Sequence, residues 1–182
     1  MGLEVPIPKR MSMLRRDSRG YPIPFNVLRD VDGKPFFAIN DDRVRARCLK
    51  EKRCAICGYR LDKLMWLVGG PLSAFHENGC YQDTPLHHDC MTYALQVCPY
   101  LSMPNYLGRI DAAGLDPAKL PAGMPAVLVD HTQIAERPEV FVAVAILKYA
   151  FTDNGYIKPE RPYKQVEYWR DGKQVSLEEV KL

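Results

Sequence analysis

Two pairs of metal-ligand residues have types and spacing suited to binding one ion. Two residues separate Cys54 from Cys57, two separate His87 from Cys90, and the 29 residues 58–86 lie between the pairs. Thiolate and imidazole ligands in this arrangement are typical of a four-ligand zinc site. The alternative is that the six cysteines are reduced core residues, since free cysteine is among the most buried residue types. That alternative does not explain why both pairs have the same spacing.

The neighbouring residues suit each pair to metal binding. Gly58 follows Cys57 and permits the tight turn that lets two thiolates face one ion. On a helix, positions i and i+3 share a face, so His87 and Cys90 can bind the same ion. His88 is the alternative imidazole ligand, but positions i and i+2 point to different faces, which favours His87.

A set of three cysteines and one histidine would fill all four tetrahedral positions of Zn²⁺. A catalytic zinc keeps one position open for water or substrate, whereas a structural zinc does not. The sequence therefore predicts a structural zinc ion that stabilises the fold. Three thiolates leave one net negative charge on such a site. Lys52, Arg53 and the N-terminus of the ligand-bearing helix can offset that charge.

The segment between the two ligand pairs predicts a short hairpin. Tyr59–Val68 is expected to be a strand that ends at Gly69-Gly70-Pro71. Leu72–Phe75 is then expected to return as its partner. This hairpin would follow the turn that carries the first two cysteines.

The second ligand pair is expected to lie at the start of a helix. Thr84 is the expected N-cap, Pro85 takes the first helical position and Pro99 stops the helix. An apolar stripe at helical spacing consists of Met91, Ala94, Leu95 and Cys98. A knuckle, a β-hairpin and a helix in this order predict a treble-clef zinc finger over residues 53–99, embedded in a small mixed α+β domain.

An extended basic arm is predicted at the start of the chain, followed by a hairpin and a helix. Residues 1–24 carry prolines and basic residues without helical or strand periodicity, so they are expected to be extended or disordered unless a surface holds them. Asp32-Gly33 predicts the turn of a hairpin over 25–39. Asn40 is the expected N-cap of a helix over 41–52.

Residues 25–182 are predicted to form a single zinc-stabilised domain, with a C-terminal β/α part over 126–182. Val140–Phe151 is rich in β-branched and aromatic residues on both faces, which predicts a central strand. Pro162 is expected to begin a short helix. A hairpin through Asp171-Gly172 is the competing interpretation.

Composition places the chain among ordinary globular proteins. Of its 182 residues, 47% are hydrophobic and 26% charged, and no apolar run approaches the ~20 residues that a membrane-spanning helix needs. Cysteines in C-x-x-C spacing indicate metal in a reducing compartment rather than disulfides, so a cytoplasmic location is expected. Three cysteines are expected to be bystanders: Cys48, Cys80 and Cys98.

Positive charge is concentrated at the start of the chain. Residues 1–53 hold 13 Lys and Arg against 7 Asp and Glu, a net charge of +6, whereas residues 54–182 hold 12 against 15, a net charge of −3. A basic arm beside a nearly neutral body suits a nucleic acid or an acidic protein surface as partner, and it equally suits plain solubility. The candidate contact residues on the expected helix and arm are Arg43, Arg45, Arg47, Lys50, Arg15 and Arg16.

These features predict a non-catalytic, zinc-stabilised binding module that binds or associates with nucleic acid. The first alternative is a protein-interaction protein of phage or bacterial origin that acts on a host machine. The pattern indicates neither a membrane nor a small-molecule substrate as partner.

A metal-dependent nuclease of the HNH type is the enzymatic alternative. His76-Glu77-Asn78 lies in the interval between the ligand pairs where such a nuclease places catalytic groups. The Asp-His doublet that typically opens such a site is absent, and Ala74-Phe75 stands in its place. An exposed loop histidine is the simpler interpretation of His76, so the prediction names no catalytic residue.

The order of the motifs resembles a family of small bacterial and phage proteins, chiefly actinobacterial, of uncharacterised function. The resemblance covers residues 21–182. It rests on Cys54-Ala-Ile-Cys57-Gly58, on Val68-Gly69-Gly70-Pro71, on a helix that reads His-x-x-Cys-x-x-Tyr-Ala-x-x-x-Cys-Pro over 87–99, and on Tyr168-Trp169-Arg170-Asp171-Gly172-Lys173. It implies the zinc site and implies no activity.

Overall fold

A four-stranded antiparallel sheet lies at the centre of the computed structural model, which describes residues 5–103 and 137–180. The chain is of the mixed α/β class. Its elements in order are β1 (Val27–Arg29), β2 (Pro35–Asn40), α1 (Asp42–Glu51), β3 (Met65–Gly69), α2 (Pro71–Phe75), α3 (His88–Val97), α4 (Pro99–Ser102), β4 (Phe141–Ile146), β5 (Tyr149–Phe151), β6 (Ile157–Pro159), β7 (Gln165–Arg170) and β8 (Lys173–Val175). Single 3₁₀ turns occur at Lys9–Met11 and Leu177–Glu179.

The central sheet has the strand order β3-β4-β7-β8, with β4 buried along its whole length. Side chains alternate between its two faces, as the strand period of two requires. One face packs Leu67, Val142 and Val144 against Ala74 of α2 and Ile157 of β6. The other face packs against α3. The buried residues of the sheet and helix that form this second cluster are Trp66, Met91, Leu95, Phe141, Ala143, Ala145 and Trp169. Helix α3 is therefore fixed to the sheet through its apolar stripe.

The central strand of the sequence prediction is present, but it is shorter than expected. Residues 140–151 contain two strands, since β4 ends at Ile146 and β5 begins at Tyr149. Strand β5 pairs with β6 in a separate two-stranded sheet rather than continuing in the central one. Of the expected C-terminal part over 126–182, residues 126–136 lie outside the described part of the chain.

The predicted helix after Pro162 is wrong, and the competing hairpin is present. Strand β7 pairs with β4 on one side and with β8 on the other. The turn between β7 and β8 has Asp171 at φ 49° and Gly172 at φ 76°. Two successive residues with positive φ are the hairpin turn whose twist matches the flanking strands.

The predicted return strand at Leu72–Phe75 is also wrong, because these residues belong to helix α2. Gly70 is its N-cap and Pro71 occupies the first helical turn, where a missing N–H does no harm. Strand β3 takes its main partner from β4, which is distant in sequence. On its other side Trp66 forms a single two-bond bridge with Leu86.

The N-terminal hairpin and helix form close to their predicted positions. Strands β1 and β2 pair around the expected turn, and α1 follows. The N-cap is Asp41 rather than Asn40: its carboxylate accepts hydrogen bonds from the backbone N–H groups of Arg43 and Val44, at 3.0 and 3.4 Å. The Asn40 side chain instead bonds to Asn26 and to a loop aspartate.

We expect Asp41→Ala to lower the free energy of unfolding by about 1 kcal/mol at neutral pH, because it removes the N-cap acceptor of α1. Burial of the Asp41 carboxyl opposes its ionisation, but hydrogen bonds from the Arg43 guanidinium and from the N–H groups of Arg43 and Val44 hold its pKa below the ordinary value. The carboxylate therefore stabilises the fold above its unfolded pKa, and this contribution is lost as pH falls through the folded pKa. Asp41→Asn, which keeps a cap acceptor without a charge, should show a smaller loss of stability between neutral and acid pH than the unchanged protein. Urea denaturation at both pH values measures this, and an Ala variant as stable as the parent would contradict it.

Candidate metal centre

Four side chains converge in one buried cluster. The ligand atoms of Cys54, Cys57, His87 and Cys90 all lie within 4.8 Å of one another, and all four residues are buried. A tetrahedral ion bound to sulfur at about 2.3 Å places its ligand atoms about 3.8 Å apart. The Sγ of Cys57 lies 3.3 Å from Nδ1 of His87. The spacing of the four atoms is therefore compatible with one shared metal ion.

A tight backbone knuckle over residues 52–61 positions the first cysteine pair. Arg53 and Arg60 form an antiparallel bridge, and Cys54 N–H donates to the Tyr59 carbonyl at 2.8 Å. Gly58 N–H donates to the Cys54 carbonyl at 2.8 Å, which closes the turn. Gly58 has φ 76°, and a Cβ at this position would lie 2.8 Å from the ring of Phe25. Both the backbone conformation and the space therefore require glycine here.

The start of α3 positions the second pair. The helix begins at His88, so His87 is the N-cap residue and Cys90 lies in the first turn. The predicted cap at Thr84 is wrong, because Leu86 pairs with Trp66 and keeps the preceding residues out of the helix. The two ligands are still three residues apart at one end of the helix.

A hydrogen bond from the knuckle orients the imidazole. His87 Nε2 lies 2.9 Å from the carbonyl oxygen of Arg60. A carbonyl only accepts, so Nε2 carries the proton and donates it. Nδ1, which faces Cys57, is then free to donate its lone pair to an ion. Partners of this kind on the second ring nitrogen are the usual way in which proteins fix a ligand histidine.

The protons of the cluster are distributed unevenly. Burial opposes ionisation of Cys54, but hydrogen bonds from Cys57, Cys90 and His87 hold its pKa far below the ordinary thiol value. Burial lowers the pKa of His87, and hydrogen bonds to Cys54 and Cys57 more than offset this and raise it to about 10. The hydrogen bond to Cys54 raises the pKa of Cys90. The Cys54 thiol therefore favours its negative form and the His87 imidazole its positive form. A divalent cation bound here would displace the protons of the thiols and of Nδ1.

His88 lies outside the cluster. Its Nε2 donates to Glu167 at 2.8 Å, and its ring packs against Trp66 with centroids 4.6 Å apart. The remaining cysteines are free thiols outside the cluster as well. Burial raises the pKa of Cys48 to about 11, as expected for an inert core thiol.

The described part of the predicted arm packs onto the Cys₃His cluster. Met11 is buried in one cluster with the ligand cysteines, and Val5, Ile7 and Leu14 pack around it. Arg10 forms ion pairs with Asp62 at 2.9 Å and Asp89 at 3.3 Å, one on each side of the site. The sequence analysis did not predict that the N-terminal segment packs on the cluster. The only indication in the sequence is that apolar residues alternate with the basic ones in this segment.

Most of the predicted contact residues have partners within the protein. Arg45 donates to the carbonyls of Gln82 and Gly155, so it is engaged within the protein. Arg43 pairs with the N-cap aspartate of α1, and Arg47 pairs with Glu51. Of the others, Lys50 and Arg15 are exposed, and Arg16 donates to the carbonyl of Gly20.

The candidate nuclease residue lies in an exposed turn. His76 Nδ1 accepts a hydrogen bond from the backbone N–H of Asn78 at 3.1 Å. Across 5–103 and 137–180, the only group of three or more His, Cys, Asp or Glu side chains close enough to share an ion is the Cys₃His cluster. His76 is not a member of it.

Comparisons with known proteins add no relative. No family model matches the chain, and neither a curated protein nor a solved structure matches it. The resemblance to small bacterial and phage proteins therefore stays a prediction. Within the described ranges, no helix has the length and apolar content to span a bilayer.

We expect His87→Ala to lose bound metal and His88→Ala to retain it, because only His87 directs a ring nitrogen at the cysteines. Elemental analysis of the purified variants gives metal per chain. His87→Cys keeps four soft ligands and should recover metal even if the alanine variant does not fold. Full metal content in His87→Ala would exclude the histidine as a ligand.

Shortening the buried side chain of Met11 in the N-terminal segment should destabilise the protein. Met11 is 2% exposed and Met13 is 82% exposed, so they form a matched pair two residues apart. We expect Met11→Ala to lower the free energy of unfolding by about 2–5 kcal/mol. Met13→Ala should change it by less than about 0.5 kcal/mol. Urea denaturation measures both, and equal stabilities of the two variants would show that the N-terminal segment does not stabilise the Cys₃His cluster.

Proposed function

We propose that this protein is a non-catalytic, zinc-stabilised binding module that contacts nucleic acid. The observation that carries the proposal is the buried Cys₃His cluster: its three sulfurs and one imidazole nitrogen would fill every position of a tetrahedral ion. Soft thiolate and imidazole ligands in tetrahedral arrangement suit Zn²⁺ best among common cellular metals. With no position left for water or substrate, the ion would stabilise the fold and perform no reaction.

The order of elements around the site supports a treble-clef arrangement. A knuckle supplies two ligands, a strand follows and bridges to Leu86, and the start of α3 supplies the other two. Zinc in this position would join the knuckle to the helix and, through Met11, to the N-terminal segment. Because apparent binding energies of structural zinc reach ~10 kcal/mol or more, the ion would contribute much of the stability of this end of the molecule.

The distribution of charge supports nucleic acid as the partner. The excess of Lys and Arg lies in residues 1–53, which include both the segment that covers the metal centre and helix α1. Lys and Arg side chains that neutralise phosphates release condensed counterions, which drives binding and makes it salt-dependent. A zinc-fixed scaffold holds such charges in place before binding, which reduces the entropy lost on association.

The test is binding by the intact, metal-loaded protein. Fluorescence anisotropy with labelled single-stranded DNA, double-stranded DNA and RNA should show binding that weakens steeply as salt rises from about 50 to 200 mM. A chelator should remove the metal, unfold the protein and abolish binding. Elemental analysis should give one zinc per chain.

Three results would overturn the proposal. A folded protein without metal would exclude the zinc-stabilised module. No binding to any of the three nucleic acids at low salt by zinc-loaded protein would exclude the nucleic-acid partner and favour the protein-interaction role. Metal-dependent nicking of a plasmid, lost in His76→Ala, would replace the binding module with the nuclease.

A further inference from the structure

A basic groove lies between the C-terminal end of α1 and the knuckle. It has a volume of about 420 Å³, and the residues that line it are Lys50, Glu51, Lys52, Arg53 and Arg60. Four of these five side chains are cationic. Of these cations, the sequence analysis named only Lys50 as a contact residue. The other three belong to the knuckle, and the fold brings them next to the end of α1.

The positive charge of the groove is available to a ligand. The carboxylate of Glu51 accepts hydrogen bonds from Arg47 and Arg53, so its charge is matched within the protein. Among the described residues, the side chains of Lys50, Lys52 and Arg60 have no hydrogen-bond or ion-pair partner. Three unmatched cations around one concave surface create a local positive potential that attracts an anion.

The backbone at Lys52 makes this residue a useful position for substitution. Lys52 has φ 52° and ψ 58°, the left-handed conformation that commonly ends a helix. Glycine is favoured there because any side chain with a Cβ is disfavoured. The conformation of Lys52 therefore follows from the end of α1, and it places a lysine beside two other unmatched cations where a glycine would fold at least as well.

The backbone of the knuckle fixes the spacing of these cations. Arg53 and Arg60 are bridged through their backbones, and Leu61 N–H donates to the Lys52 carbonyl at 2.7 Å. The same knuckle carries Cys54 and Cys57, so an ion held by them would make the groove wall rigid. Rigid, preorganised charges bind an extended polyanion with less loss of entropy.

An exposed aromatic residue accompanies the charges. Tyr59 directly precedes Arg60 in the knuckle and is 49% exposed. Tyr59 does not line the groove itself, so a base would stack on its ring where the bound strand leaves the groove. Exposed aromatic rings near basic side chains bind single-stranded nucleic acid in this way, because an unpaired base can stack on the ring while phosphates contact the cations. Bases inside a duplex are stacked on each other and offer no free face.

We propose that this groove binds the phosphate backbone of single-stranded nucleic acid, with Lys50, Lys52 and Arg60 contacting phosphates and Tyr59 stacking on a base. The inference rests on the proposed nucleic-acid function and names its contact surface. It requires no change in the fold on binding, since the cations already line one concavity.

Lys52→Gly gives the sharpest test, because it should separate binding from stability. Removing the Cβ from a left-handed position should leave the urea midpoint unchanged or raised. Removing one phosphate contact should weaken binding to a labelled single-stranded oligonucleotide and reduce the slope of log K against log salt by about 0.7. Lys50→Gln and Arg60→Gln remove the same charge without altering the backbone and should act in the same direction.

Two further variants complete the experiment. Tyr59→Ala should weaken single-strand binding at least about fivefold with the salt slope unchanged, since stacking releases no counterions. Lys173→Ala is the charge-matched control: Lys173 is exposed on β8, at the edge of the sheet opposite β3, and should bind as the parent does.

The results distinguish failure of this inference from failure of the proposed function. The parent protein could bind nucleic acid while the Lys50, Lys52 and Arg60 variants bind with unchanged affinity and salt slope. That result would exclude the groove as the contact surface and leave the proposed function in place, with binding at another surface. Tighter binding to duplex than to single strands would also exclude the groove as proposed. If the parent protein itself binds no nucleic acid, the proposed function fails with it.

Discussion

The imidazole of His87 is the contact on which this end of the structure depends. Its Nδ1 faces Cys57, and its Nε2 donates to the carbonyl of Arg60, so one side chain joins the helix start to both the sulfurs and the backbone of the knuckle. Helix α3, which begins beside this residue, packs on the central sheet through Met91 and Leu95. A displacement of the ring would therefore loosen the contact between the knuckle and α3.

Burial of the cluster constrains its chemistry in a second way. Its four ligand residues are buried, and a buried thiolate or imidazolium requires a compensating charge, either from a neighbouring group or from a cation. The N-terminal segment closes the site with Met11, and Arg10 pairs with an aspartate on each side. These contacts exclude water from the ligands, which suits an ion that stabilises the fold more than one that exchanges ligands.

Local signals predicted the local features, and long-range pairing decided the rest. The ligand set and Gly58 could be predicted because their spacing reflects geometry within one turn of backbone. The helix start at Thr84 could not be predicted correctly, because Leu86 is held by Trp66, which is distant in sequence. Likewise Val166 and Trp169 lie three residues apart, as on one helix face, but pairing with β4 places them on opposite faces of the sheet.

The same distinction applies to the charged residues. The density of Lys and Arg in the sequence identifies a basic region, but only the fold shows which charges are matched. Arg47 pairs with Glu51 four residues away on the same helix, a contact that spacing alone indicates. Arg45 is engaged by carbonyls of two distant loops, and Arg60 joins the C-terminal end of α1 only because the knuckle folds back on Arg53. The position of the unmatched charges is therefore set by tertiary pairing. A metal ion that holds the knuckle in place would also fix where those charges lie.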